Sequence, residues 1–264
     1  MNAVPSSLRR SFAVQRRVIG ALVMREVITR FGRHNIGFLW LVLEPMLFTL
    51  GVTTLWTLVK VTHGTNLPIA AFALTGYSSI LLWRNCTNRV VKSIEPNLSL
   101  LYHRNVRVLD VFSARLILEI AGATTSLVLL TIVFTATGLM DPPEDILTVL
   151  IGWFLLAWFA IGLSLIVGAA AERSELVDRV WHIITYLMFP LSGAGFMVDW
   201  FPHAVQEILY WVPMVHGTEM VRHGYFGDTV QTYEDPIYFA LVNTALLVIG
   251  LALVRETGRR VEPE

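Results

Sequence analysis

The side chains best suited to chemistry stand in a few places along the chain. His216, Glu219 and His223 are spaced so that a helix would turn them towards one face, offering two imidazoles and a carboxylate to a metal ion. The His-x-x-x-His step of a zinc helix is missing, and Gly217 and Gly224 weaken a helix there, so an interfacial loop is the competing reading. Glu44 lies beside Pro45 inside a long apolar run, and Arg115 and Glu119 lie four apart inside another, placed to pair on one helical face. An ionised group in hydrocarbon is costly unless it faces protein or water. Glu44 therefore reads either as a capped, protein-facing acid or as one member of a proton relay. Lys92-Ser93 has the closing residue types of a phosphate-cradling loop, but no glycine stands where that loop requires one, so the chain does not bind ATP in that way. No Gly-x-Ser-x-Gly elbow is present to support membrane hydrolase chemistry. Cys86 is the only cysteine, which excludes an internal disulfide and a cysteine-built metal site.

These residues sit in a chain whose solvent is largely lipid. Of 264 residues, 55% are hydrophobic and 15% charged, where a soluble domain carries about 25% charged residues. Mean hydropathy is +0.60. No repeat, low-complexity tract or Gly/Ser linker divides it, so residues 1–264 read as one all-α, polytopic membrane domain. Apolar runs predict six transmembrane helices, at 36–59, 67–83, 111–137, 146–171, 180–196 and 236–254. The fifth is short and broken by Pro190 and by Gly193-Ala194-Gly195. Residues 197–215 are apolar yet interrupted by Asp199, Pro202, Glu207 and Pro213. Such a segment is tolerated at membrane depth only where protein or water covers it, which predicts a re-entrant hairpin before the last span.

Residues 1–35 form a cytoplasmic segment with Val23, Val27 and Phe31 on one helical face beside Met24 and Ile28, opposite Glu26 and Arg30. Arg16, Arg25, Arg30 and Arg33 make it basic, as expected of an amphipathic helix lying in the interface; a plain polybasic topology signal would use the same residues. Arg25, Arg30 and Arg33 also interrupt any compact apolar core of a secretory signal. Of the 20 Lys and Arg, only Lys60, Arg115 and Arg222 fall outside the N-terminal segment, the connections after the second and fourth spans, and the tail 255–264. The positive-inside rule then puts both termini in the cytoplasm. The 8 tryptophans divide between two uses, belts at the membrane interfaces and ring faces lining a path for a sugar. Phe38, Trp40, Trp56, Trp200 and Trp211, with Glu44, are the candidates for a canal or gate.

Three stretches carry a likeness to a known family. Arg30-Phe31-Gly32 leads to Gly37-Phe38-Leu39-Trp40 and Glu44-Pro45; Asn97 to Tyr102 is followed by Asn105-Val106 and Leu109-Asp110; and Ser192-Gly193 through Asp199 precedes Trp211 to His216, Glu219, Arg222 and Gly224 to Gly227. Together they resemble the membrane subunit of ABC type-2 exporters over nearly the whole chain, and within these the branch exporting bacterial capsular polysaccharide. The resemblance implies a homodimer in the bacterial inner membrane joined to two ATPase subunits. ATP and Mg would be bound by those subunits, leaving this chain with no cofactor, no enzyme activity and no nucleic-acid partner. The cargo would be a lipid-linked polysaccharide, passed on to periplasmic and outer-membrane export proteins. It also implies that a short helix between residues 93 and 104, with Glu95, Pro96, Leu98, Leu101, Tyr102 and Arg104, seats in the ATPase. Glu172, Arg173 and Glu175 would add a second contact and the N-terminal helix a third. The residues themselves agree in part: Pro96 suits the first turn of a helix, and Leu98, Leu101 and Tyr102 follow as an apolar stripe. His103-Arg104 is more basic than the family pattern. Other lipid-linked glycans (O-antigen, teichoic acid), a drug, or ion-coupled secondary transport are the alternative readings.

Overall fold

A computed structural model describes residues 8–31, 36–59, 67–101 and 106–261. These form ten helices: α1 (Leu8–Phe31), α2 (Ile36–Val59), α3 (Ile69–Val90), α4 (Leu98–Leu101), α5 (Val108–Ala136), α6 (Ile146–Ala171), α7 (Glu175–Met188), α8 (His203–Tyr210), α9 (Pro213–Phe226) and α10 (Pro236–Val261). No strand occurs among the described residues. A helix satisfies its backbone groups within its own segment, which is what a chain in hydrocarbon needs.

Four helices are long and apolar enough to cross a membrane: Leu39–Val59 within α2, Val108–Ala136, Ile146–Ala171 and Pro236–Arg260. The other two expected spans differ from these for separate reasons. α3 has 22 residues but carries Thr75, Ser78, Ser79, Arg84, Asn85, Asn88 and Arg89. It is the central helix, packed by α2, α5, α6 and α9 and buried without a break from Ala70 to Trp83. A helix enclosed by protein has no lipid-facing stripe to keep apolar. The hydroxyls of Thr75 and Ser79 donate to the carbonyls of Ala71 (2.8 Å) and Thr75 (2.7 Å), so burial leaves them satisfied. α7 has 14 residues and at about 1.5 Å each is too short for a ~30 Å hydrocarbon layer.

Several boundaries move from their expected places. The second run continues past Trp83 to Val90, so Arg84 to Arg89 lie on the last turns of α3 and not in a loop. The fifth begins at Glu175 and stops at Met188, ahead of Pro190. From there the chain turns through Gly193, whose φ of +78° is open to glycine at little cost. A 3₁₀ turn at Val198–Trp200, then α8 and α9, complete the broken stretch. Gly76 of α3 lies directly beneath it: a Cβ there would stand 2.1 Å from the carbonyl oxygen of Ala194. Only glycine admits so close an approach.

α1 packs on α5 and α2. Its expected apolar face is divided: Val23 and Val27 are half-buried towards the bundle, while Met24 and Ile28 are exposed. Arg33 lies outside the described residues, as does the side chain of Arg30.

Candidate functional site

α9 docks on α6, α3 and α10, and its inward face carries His216, Glu219 and Arg222 at three-residue steps, each at most 2% exposed. Arg222 donates to the carbonyls of Gly193 (2.6 Å), Ala194 (2.8 Å) and Phe196, so one guanidinium caps three carbonyls left free by the broken segment. Its charge lies 3.9 Å over the ring of Phe72. Glu219 accepts from the backbone N–H groups of Val198 (3.3 Å) and Tyr233 (3.2 Å). The Nδ1 of His216 accepts from the Asp235 N–H at 2.9 Å, which puts the ring proton on Nε2, where it is donated to the Tyr210 carbonyl at 2.7 Å. His223 pairs with Glu234. Of the residues spaced like metal ligands, His216 and Glu219 thus stitch backbone to backbone and His223 is held by a carboxylate. Among the described residues no group of three or more His, Cys, Asp or Glu is placed to hold a metal ion.

Ring faces form a column beside this clamp. Trp56 stacks on Phe72 (6.1 Å between centroids), and Phe72 stacks on Trp200 (5.2 Å). Tyr77 meets Trp56 edge-on at 5.4 Å and also touches Phe48 and Phe189. A cavity of about 640 Å³ opens next to Trp200, rimmed by Asp141, Glu144 and Asp199. Of the expected canal residues, then, Trp56 and Trp200 come together. Trp40 and Trp211 are 52% and 72% exposed and stand apart from this column, Trp211 edge-on to Tyr238 at 6.1 Å. The side chain of Phe38 lies outside the described residues.

The ends of the helices at the cationic side are tied by charge. Arg115 pairs with Glu26 of α1 at 3.1 Å and donates to the Arg89 carbonyl at 2.6 Å. Arg89 in turn reaches Glu44 of α2 (3.2 Å) and Glu119 of α5 (3.6 Å). Arg115 and Glu119 therefore each bridge to another helix. Arg25 bonds Asn97, and Gln15 donates to Asp110 at 2.7 Å, which anchors α1 along this face.

The segment after α3 joins the same network. Lys92 pairs with Asp178 of α7 at 2.6 Å, a contact that raises the lysine above its ordinary range. The Ile94 N–H donates to Glu172 at 3.3 Å; burial pushes that carboxyl up, and the bond partly opposes it. Arg173 binds Glu256 (3.1 Å) and the Leu253 carbonyl (3.0 Å) of α10. Glu175 is exposed and pairs with Arg179 at 3.4 Å. The two connections expected to contact an ATPase thus lie side by side. Pro96 stands in a 3₁₀ turn, Glu95–Asn97, that leads into α4. Glu95, Pro96 and Leu98 are exposed, but Leu101 is 4% exposed and packs into this chain's own core. The apolar stripe is therefore split, with Leu98 outward and Leu101 inward. Tyr102 and Arg104 lie outside the described residues, and Arg16 is exposed on α1. Cys86, on the last turns of α3, is fully buried.

Sequence comparison agrees with this architecture. The model of the ABC-2 type transporter family matches residues 17–226. The chain is 50% identical over 259 residues to the capsule polysaccharide export inner-membrane protein CtrC of Neisseria meningitidis serogroup B, covering 98% of both chains. It is 45% identical over 259 residues to the corresponding protein BexB of Haemophilus influenzae, again covering 98% of both. The polysialic acid transport protein KpsM of Escherichia coli is 29% identical over 252 residues, 94% of this chain and 96% of its own. On the extent of the family match and of these identities, the chain belongs to the ABC-2 type transporters.

Proposed function

We propose that this chain is the membrane-spanning subunit of an ATP-driven exporter that moves a lipid-linked capsular polysaccharide across the bacterial inner membrane. What carries the proposal is identity of 45–50% over 98% of the chain to proteins named for capsule polysaccharide export. Six spans are assigned to α2, α3, α5, α6, α7 with the turn that follows it, and α10. α8 and α9 form the re-entrant pair, and α1 lies at the cytoplasmic interface. Clustering of the cations at one end of the bundle supports cytoplasmic termini. Energy would come from a separate ATPase, two copies on a homodimer of this chain, holding ATP and Mg. Periplasmic and outer-membrane export proteins would take the glycan onward. The surface of Glu95, Pro96 and Leu98, with Glu172 and Glu175 beside it, is the coupling face. Trp56 and Trp200, the half-buried members of the ring column, suit the apolar faces of sugars, which supports a place for them in the path of the glycan.

Orientation is tested with new thiols in a Cys86→Ala background, because Cys86 is buried. Ser99→Cys, exposed on α4 at the cationic side, should react with an impermeant reagent in inside-out vesicles only, and Asp228→Cys in spheroplasts only. The reverse pattern refutes the assignment. Function is tested by deleting the gene: polysaccharide should vanish from the cell surface and accumulate inside. Normal surface polysaccharide in the deletion strain would refute it.

A further inference from the structure

A cleft of about 420 Å³ separates α2, α3 and α7 at the cationic end of the bundle. Arg84, Asn85, Asn88 and Arg89 reach it from α3, Glu44 from α2 and His182 from α7. Its charges are unequally matched. Arg89 is shared by Glu44 (3.2 Å) and Glu119 (3.6 Å), and His182 lies 3.8 Å from Asp178. Arg84 has no carboxylate partner among the described residues; its guanidinium sits 5.2 Å from the centre of the Tyr186 ring. Arg84 Nε is buried with no acceptor, and Asn88 Oδ1 is buried with no donor. A buried donor or acceptor left unmade is costly, and a native structure rarely keeps two in one place without a reason.

The missing partner must supply an acceptor for a guanidinium and a donor for an amide oxygen. A phosphate ester bearing hydroxyls offers both, with the negative charge that the unmatched Arg84 calls for. The surroundings point to a lipid as its source. Leu43 and Leu47 on α2, and Ile183 and Leu187 on α7, are exposed apolar residues on the two helices that wall the cleft. Acyl chains can lie along them while the headgroup sits inside. We propose that this cleft binds the phosphate headgroup of an anionic, hydroxyl-bearing phospholipid from the cytoplasmic leaflet. Glu44 is the internal competitor: with the cleft empty it holds Arg89, and it repels an incoming phosphate.

The site is measured without ATPase or glycan, so its failure leaves the export assignment standing. The purified chain is titrated with phosphatidylglycerol or phosphatidylcholine and the bound lipid is counted by native mass spectrometry. A parallel titration uses soluble glycerol 3-phosphate in phosphatidylcholine micelles. Phosphatidylglycerol should bind about tenfold more tightly than phosphatidylcholine, which shares the phosphodiester but carries a choline cation that opposes Arg84 and has no hydroxyl for Asn88. Arg84→Gln should erase that preference, and Glu44→Gln should strengthen it by roughly threefold through loss of a like charge. Equal binding of the two lipids, or an unchanged preference in Arg84→Gln, overturns the proposal. If Arg84→Gln does not insert, Glu44→Gln decides alone, because only a phosphate site predicts a gain. Binding of glycerol 3-phosphate by itself, lost in Arg84→Gln, would support the site and identify the free headgroup as sufficient.

Discussion

Arg222→Met should lower the melting midpoint of the detergent-solubilised chain by roughly 10 °C or more. Breaking a buried charged network costs about 3–5 kcal/mol, and in a chain of this size each kcal/mol is worth about 2–4 °C. The mechanism is specific. Methionine fills much of the space, but the carbonyls of Gly193, Ala194 and Phe196 lose their donor in a region that water does not reach. Phe72 also loses the cation over its ring. Arg222→Lys should fall between the two, since one ammonium keeps the charge but cannot fan out to three carbonyls. Intrinsic tryptophan fluorescence during heating measures the change, because Trp200 lies in the segment that Arg222 holds. A midpoint within two or three degrees of the wild type in Arg222→Met would show that the broken segment stands without its clamp.

Much of this architecture is legible in the residues, and where it is not, enclosure by protein is the reason. α5 and α6 announce themselves because their lipid-facing sides must be apolar. The last turns of α3 do not: Arg84 to Arg89 look like loop, yet they lie against other helices, and the charge of Arg89 is met by Glu44 and Glu119. Cys86 follows the same rule: its neighbours in sequence are polar, yet the helices around it bury the thiol. Leu101 shows a second limit. In a helix of four residues, periodicity cannot say which leucine turns inward, and here Leu101 does. His216 and Glu219 stand out by their spacing, but their partners, like those of Arg222, are backbone groups, which carry no mark in a sequence.

The second large effect is expected at the proposed coupling face. Leu98→Asp should weaken association with the ATPase by about 10- to 100-fold, the range for losing an interface anchor worth 1–3 kcal/mol, and should abolish surface polysaccharide. Leu98 is 39% exposed, so the substitution leaves the chain's own core intact and its insertion and melting midpoint should match the wild type. Leu101→Asp would not separate these effects, because it buries a charge inside this chain. The Lys92–Asp178 ion pair and the hydrogen bond from the Ile94 N–H to Glu172 hold the loop against α7 and the end of α6, and this is the proposed route by which movement of Leu98 would reach the helices. Wild-type ATPase recovery with Leu98→Asp, at normal insertion, would remove this loop from the interface.

The central claim is that this chain supplies the passage and a separate subunit supplies the energy. The direct measurement is ATP-dependent uptake of lipid-linked polysaccharide into inside-out membrane vesicles. Vesicles holding this chain and the ATPase should accumulate the glycan when ATP is added, and vesicles lacking either one should not. Uptake by this chain alone, driven by an imposed ion gradient and indifferent to ATP, would contradict the account.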